Sequence, residues 1–333
     1  MREPASWWQP GGGSALSALS PLAGIYGAVA WLRLRASGAR VGLPVICLGN
    51  LTLGGTGKTP AALAVGRVLL AAHERPFFLS RGYGGRLKGP IRVNLTIERA
   101  SDVGDEPILL ARLAPTIVAR NRVAGAELAR AAGANVIVMD DGFQNPALAK
   151  DLSILLIEGP RAIGNGRIFP AGPLRAPLGP QLARAQALIV VGPPHGAAAV
   201  VAAAKRRGAA IFHARLEPDA NTVAALGARK VLAFAGIGNP EKFFATLTEA
   251  GIVIGARVAF PDHHRYTKDE ATALLKRAET ESLVLMTTEK DLARLVGEPK
   301  LAGLAARATA LPVRLVIDEQ DAFRQLILNA VKR

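Results

Sequence analysis

GNLTLGGTGKTP, residues 49–60, follows the short apolar run PVICL at 44–48 and precedes AALAVGRVLLAA at 61–72. A phosphate loop is a G-x-x-x-x-G-K-[ST] run set between a strand and a helix. Gly57, Lys58 and Thr59 fill its last three positions. The first position holds Thr52 instead of glycine, and Gly54 and Gly55 supply backbone freedom slightly later. Pro60 is compatible with a first helical turn, where the donor it lacks would have had no partner. In this arrangement the backbone N–H groups from Thr52 through Gly54, Gly55, Thr56 and Gly57, with the helix N-terminus, wrap a β-phosphate. Lys58 then reaches the β- and γ-oxygens, and Thr59 ligates Mg²⁺. A glycine-rich turn without a ligand would not need the GTGKT core in this context. The stretch reads as a nucleotide site.

Working outward, apolar runs at 44–48, 77–79, 116–119, 135–139, 152–157 and 187–191 read as buried strands, with helices such as 59–73 and 121–132 between them. That alternation predicts an α/β fold: a P-loop NTPase-like, mostly parallel sheet with helices on both faces. Residues 159–185 have no period and read as a long loop, of a length that is functional or disordered inside a compact domain. A second α/β series follows, with strands expected at 231–236, 253–260, 282–287 and 311–317. The expected division is an N-terminal interfacial helix segment over 1–38, a P-loop domain over 39–217, and a second, smaller α/β lobe over 218–333 that closes a cleft.

The metal of a P-loop needs a carboxylate. NVIVMDDGFQNP supplies Asp140 and Asp141 at the end of the strand 135–139, the end at which open α/β sheets bind ligands. On the acceptor side, SRGYGGR at 80–86 offers Arg81 and Arg86 to a phosphate or acidic substrate edge, or forms a tight turn. In DVGDEP, Asp105 or Glu106 faces the cleft or caps a helix at 106–113. FPDHHRYT holds His263 and His264, two of only five histidines, after an expected strand. An acid–base histidine is more economical there than a metal cluster. In MTTEKD, Thr288 and Asp291 read as a helix cap.

The chain carries a net charge of +15, spread rather than gathered in a tail, over 333 residues of which half are hydrophobic. That field attracts anions without choosing among them. Aromatics are few, no arginine–aromatic alternation suits a single-strand binder, and the acids at Asp105, Asp140 and Asp141 sit poorly beside a phosphate backbone. Nucleic acid is therefore excluded. The lone Cys47 rules out an intrachain disulfide and reads as a small buried hydrophobe. Residues 5–32 carry no charge, hold Trp7, Trp8, Tyr26 and Trp31, and are closed by Arg33, Arg35 and Arg40. GGG at 11–13 and Pro21 weaken a spanning helix. Leu16, Leu19, Ala23, Tyr26 and Ala30 share one helical stripe, which suits an interfacial helix on an anionic membrane surface or a helix packed on the body.

Taken together, PLAGIYG, GNLTLGGTGKTP, LSRGYGG, VGDEP, DDGFQ, GNGRIFPAGPLR, AGIGNPEKFF, FPDHH and TTEKD resemble the tetraacyldisaccharide 4'-kinases of lipid A synthesis, over roughly residues 20–291. The resemblance implies ATP and Mg²⁺ as cofactors and transfer to the 4'-hydroxyl of an acylated glucosamine disaccharide 1-phosphate. It also implies a place at the cytoplasmic face of the Gram-negative inner membrane, peripheral or monotopic through the N-terminal segment, with no obligate protein partner. By the same resemblance Lys58 and Thr59 are the P-loop lysine and threonine, Asp140 and Asp141 the metal aspartates, and Asp105 with His263 the base-like pair. Asp105 would take the proton with His263 in support. Arg81, Arg86, Gln144 and His264 are candidate substrate contacts. One departure is PLRAP, where many members have PLREP: Ala176 replaces the acid. The rival reading is a membrane-associated P-loop ATPase switch that makes no phosphorylated lipid; a kinase for a soluble sugar fits the uncharged N-terminus less well.

Overall fold

The expected strands form because both faces of the sheet are covered, so nearly every residue in them must be apolar. The computed structural model describes residues 4–9, 16 and 18–332, so the expected GGG break at 11–13 lies outside the described residues. Strands β1 (Val45–Asn50), β2 (Pro76–Ser80), β3 (Ile91–Arg92), β4 (Thr116–Val118), β5 (Val136–Met139), β6 (Leu152–Glu158), β7 (Ala187–Val191) and β8 (Ala210–Pro218) belong to one large sheet. Then come β9 (Val231–Ala235), β10 (Ile254–Ala259), β11 (Val284–Thr288) and β12 (Thr309–Leu311), which form a smaller one, and finally β13 (Val313–Ile317). The large sheet runs β13-β8-β7-β6-β1-β5-β2-β4-β3, parallel except for the β13–β8 and β3–β4 pairs at its edges. The small sheet runs β10-β9-β11-β12, all parallel.

The helices that bear on the site are α1 (Ser20–Arg35), α2 (Lys58–Ala71), α3 (Asp105–Ala111), α4 (Arg122–Ala131), α5 (Pro240–Glu249), α6 (Lys268–Thr280), α7 (Glu289–Leu295) and α8 (Gln320–Val331). Alternate residues of β1 feed two cores. Val45 and Cys47 join Ala30 and Leu34 of α1 and Phe143, while Ile46 and Leu48 join Ala61, Ala62, Val65 and Leu69 of α2. Burial pushes the Cys47 thiol up to about 12, so it packs as a small apolar group.

One expected strand divides. Residues 311–317 read as a single element of the second series, yet Pro312 separates β12, in the small sheet, from β13, which pairs antiparallel with β8. Helix α8 follows β13 back, seating Phe323, Ile327 and Ala330 in the α2-side core of the large sheet. The tail beyond 312 therefore packs with the P-loop sheet and not with the small one as expected. A proline within a strand removes a ladder donor, and here it marks the crossing.

Helix α1 packs on the body through one stripe and leaves an apolar face exposed. Ala23, Gly27, Ala30 and Leu34 are buried against the body, and Gly27 lies so close to Ile168 that a Cβ would stand 2.8 Å from Cδ1. Its outer face exposes Leu22, Ile25, Tyr26, Val29, Trp31 and Leu32. Tyr26, expected in the stripe with Ala23 and Ala30, is on the outward side. Trp7 is buried, edge-on against Phe169 at 6.0 Å. Among the described residues, no helix is long and apolar enough to cross a membrane.

Gly49, just before the P-loop, packs against Phe143, where an added Cβ would lie 2.3 Å from the phenylalanine Cβ. Gly49→Ala is expected to cost about 1–3 kcal/mol through overpacking, read as a lower urea midpoint with unchanged m.

Candidate active site

The carboxyl ends of adjacent strands β1 and β5 deliver the P-loop and the aspartate pair to one edge of the large sheet. Gly54 (φ 102°) and Gly57 (φ 88°) take left-handed backbone positions that glycine adopts without strain, and Gly57 opens α2. Asn50 braces the loop from inside: its Nδ2 donates to the Gly54 carbonyl at 3.1 Å and to Thr56 Oγ1 at 2.8 Å. From outside, the long loop holds it. Leu53 N donates to the Pro173 carbonyl at 2.8 Å, Arg175 Nε donates to the Thr52 carbonyl at 3.0 Å, and Thr52 bridges Leu174. The Thr52 departure from glycine is thus absorbed by a backbone pairing.

Lys58 Nζ lies 3.7 Å from Asp141 Oδ2, and Arg175 forks onto the same carboxylate at 2.7 and 3.3 Å. Burial alone would raise the Asp141 pKa, but Lys58 and then Arg175 hold it down at about 2. Burial lowers that of Lys58, and Asp141 opposes the shift. Asp140 differs from its neighbour. It is buried, its Oδ1 has no hydrogen-bond partner, and burial followed by the Glu106 and Asp141 charges raises its pKa. A buried carboxylate oxygen without a donor is a natural cation ligand, and Thr59, also buried, stands at the start of α2.

Across the cleft, the small sheet presents the carboxyl ends of its own strands. His263, in the loop after β10, has φ 53° and donates its backbone N–H to the Gly236 carbonyl at 3.0 Å. Its Nδ1 sits 3.6 Å from Asp105 Oδ2, and its ring lies 4.7 Å from the Tyr83 ring. Burial lowers the imidazole pKa, but the Asp105 carboxylate outweighs it and the net shift is upward. Asp105 opens α3, where Oδ1 accepts from Glu106 N at 3.0 Å. Its Oδ2 accepts from Arg294 Nε at 2.8 Å and also from Arg294 Nη2. Burial would raise the carboxyl pKa; hydrogen bonding from His263 with the Lys290 and Arg294 charges takes it well below the usual range. Lys290 Nζ meets Glu106 Oε1 at 2.8 Å. The structure therefore brings Lys58, Asp140 and Asp141 into one charged neighbourhood with Glu106 and Lys290.

The remaining candidates fall elsewhere. His264 Nε2 is 3.0 Å from both Glu270 oxygens at the start of α6, and its ring stacks on Phe260, so it is a structural residue of the small lobe. Gln144 Nε2 donates to the Asn50 carbonyl at 3.0 Å and to Gln181 Oε1 at 3.1 Å, placing it beneath the P-loop. Arg86 is largely exposed and donates to Asp102 at 2.6 Å. Arg81 is exposed just past β2, near enough to Arg122 of α4 for their charges to oppose. Thr288 caps α7 as expected, accepting from Asp291 N at 3.1 Å. Ala176 is fully buried, its carbonyl accepting from Gln181 at 2.7 Å.

Four residues on which the geometry turns were not singled out: Asn50, Arg175, Lys290 and Arg294. Arg175 sits in an aperiodic loop with no sequence signal beyond its charge. Lys290 and Arg294 had one, the i,i+4 spacing of two cations directly after a strand end.

A P-loop backed by a bare buried aspartate, together with a carboxylate of the large-sheet domain paired to an imidazole from the second lobe, is the equipment of a P-loop kinase rather than of a hydrolytic switch. Comparison with known proteins agrees. A family model described as tetraacyldisaccharide-1-P 4'-kinase matches residues 15–332. The tetraacyldisaccharide 4'-kinase of Rhodopseudomonas palustris (strain BisB18) is 53% identical over 330 residues, covering 99% of this chain and 96% of the relative. That of Nitrobacter winogradskyi is 50% identical over 334 residues, covering 100% and 98%. The crystal structure of LpxK from Aquifex aeolicus in complex with ATP superposes with a TM-score of 0.72 at 26% identity, covering 95% of this chain and 99% of that one. The chain belongs to the tetraacyldisaccharide 4'-kinase family.

Proposed function

We propose that this protein transfers the γ-phosphoryl group of ATP to the 4'-hydroxyl of a tetraacyldisaccharide 1-phosphate, the kinase step of lipid A synthesis. The observation that carries the reading is that Lys58 and the bare Asp140 share one charged neighbourhood with Lys290 and Glu106, the latter adjacent in sequence to the Asp105 that pairs with His263, in a chain of this family. ATP takes the P-loop, with backbone N–H groups of residues 54–57 and Lys58 on its phosphates. Lys58 pairs with Asp141, ATP phosphate oxygens would compete for it, and Arg175 would still neutralise Asp141. Mg²⁺ fits Thr59 and Asp140, the latter through its unpartnered oxygen, and when bound supplies charge neutralisation at the transferring phosphate. Asp141, already forked by Arg175, is the weaker of the two aspartates for that role.

The proton goes to His263 in this reading. Asp105 accepts two N–H bonds from one guanidinium, which holds it anionic and leaves it a poor base. His263, whose basicity the carboxylate raises, takes the hydroxyl proton late in transfer, and Asp105 orients the ring. Arg81, free of the Asp102 contact that occupies Arg86, is the better placed of the two for the substrate's 1-phosphate.

The outer face of α1, with Arg33 and Arg35 at its end, lies on the anionic inner leaflet that holds the lipid substrate. Replacing Leu22, Ile25 and Leu32 together with serine is expected to abolish flotation with anionic vesicles and raise KM for the lipid severalfold, leaving KM for ATP unchanged. Unchanged flotation would remove the membrane role of α1.

The deciding experiment is transfer of γ-³²P from ATP to purified tetraacyldisaccharide 1-phosphate in mixed micelles with Mg²⁺. Labelled lipid is expected. ATP hydrolysis by folded enzyme without labelled lipid would overturn the kinase reading in favour of the ATPase switch.

A further inference from the structure

The two helices that meet across the cleft do so through four consecutive-patterned charges. Asp105 and Glu106 open α3; Lys290 and Arg294 lie one turn apart on α7. Lys290 takes Glu106 at 2.8 Å, and Arg294 takes Asp105 through Nε at 2.8 Å and through Nη2. Arg294 is also fixed from behind. Its Nη1 donates to the Gly236 carbonyl at 2.6 Å and to Asp291 Oδ1 at 2.8 Å. Asp291 in turn is fully buried, accepting from Gly236 N at 3.1 Å, Tyr266 Oη at 2.8 Å and Thr288 Oγ1 at 2.6 Å. Gly236 is the residue whose carbonyl also receives the His263 backbone N–H. One guanidinium therefore touches the carboxylate that faces His263 and the backbone that holds His263.

A buried carboxylate beside an imidazole creates a conflict. It orients the ring and strengthens it as a base, but unopposed it draws the ring into the imidazolium form, which accepts nothing. The groups facing His263 are Asp105 and Glu106 from α3, Asp262 from its own loop, Tyr83 from the loop after β2, and behind the carboxylates Lys290 and Arg294 from α7. Three anions against two cations leave the balance sensitive to either cation. We propose that Arg294 is a positioning residue for phosphoryl transfer: by clamping Asp105 from the α7 side it lets that carboxylate orient His263 while limiting how strongly the carboxylate draws a proton onto the ring. The inference rests on the kinase reading and on His263 as its base, and adds a residue to neither the nucleotide nor the metal site.

The test is a ¹H–¹³C titration of the histidine rings in the ligand-free protein, with the His263 signal assigned by its loss in His263→Gln, run beside pH profiles of kcat/KM. In Arg294→Gln the His263 pKa is expected to rise by about one unit, and the acid limb of kcat/KM moves up with it. Activity near neutral pH then falls about tenfold and recovers at higher pH, which a merely structural loss would not do. Arg294→Lys keeps the charge and loses the fork, so the limb stays in place while kcat drops a few-fold. Asp105→Asn/Arg294→Gln removes the Asp105–Arg294 charges together, and Asp291 keeps its bonds from Gly236 N, Tyr266 and Thr288. In the Asp105→Asn background, removing Arg294 is expected to shift His263 by less than half as much, because the carboxylate it acts through is gone. An unchanged His263 pKa in Arg294→Gln, or an equal shift in the two backgrounds, overturns the clamp. Absence of labelled lipid from the wild type would sink the kinase reading instead, while the ring titration still judges Arg294.

Discussion

Lys58→Ala is expected to lower kcat for phosphoryl transfer by about a thousandfold while leaving the protein folded. Little covalent chemistry falls to the protein in phosphoryl transfer, so most of the acceleration comes from charge placed where charge develops. Removing one such preorganised donor typically costs 10²–10³. Lys58 is the cation at the mouth of the loop, held in a buried setting that strengthens its field. Its loss does not strand a partner, because Arg175 keeps two bonds to Asp141. Thermal unfolding should accordingly shift little, whereas single-turnover transfer of labelled phosphate should nearly vanish. ATP binding, shared with the backbone N–H groups of the loop, should weaken far less than kcat. A variant that kept about a tenth of wild-type kcat would show that another cation meets the transferring group, with Lys290 the first to examine.

Local signals were legible where one short segment carries its own constraint. The GTGKT core, the strand before it and the helix after it lie within a single βα unit, so spacing alone placed the nucleotide loop. The same holds for Asp140 at the end of β5 and for the Thr288 cap. Resemblance, not spacing, paired Asp105 with His263, which lie in different lobes. What the sequence left dark depends on contacts between distant segments. β13 joins the large sheet through β8, about a hundred residues earlier, and a short β-branched run such as VRLVI says nothing about which sheet it completes. Gln144 and His264, chosen for their neighbours in the chain, turned out to spend their polar atoms on Asn50, Gln181 and Glu270. Arg294 had only the i,i+4 spacing with Lys290 to mark it, and an arginine on a short helix reads as surface. Only the fold shows it between two buried carboxylates.

His263→Ala is expected to cost 10²–10³ in kcat/KM, roughly the contribution of a positioned general base, and to erase the acid limb of the pH profile. The sign follows from the ring's charge. A base must be unprotonated before it acts, and the Asp105 carboxylate raises the His263 pKa above its ordinary value. Wild-type kcat/KM should therefore fall as pH drops through that raised value and level off above it. Asp105→Asn separates the two partners of the pair. Without the carboxylate the ring loses basicity, so the acid limb moves to lower pH while the plateau drops, because the ring is less basic and less well oriented. Arg294 keeps Asp291 and the Gly236 carbonyl in that variant, so the fold should survive the loss of one buried anion. Had Asp105 been the base, Asp105→Asn would instead abolish the limb and His263→Ala would merely shift it. The imidazole is the base in this proposal because Asp105 Oδ2, the oxygen nearest it, already accepts two N–H bonds from a guanidinium, and a carboxylate so stabilised is a weak base toward a sugar hydroxyl.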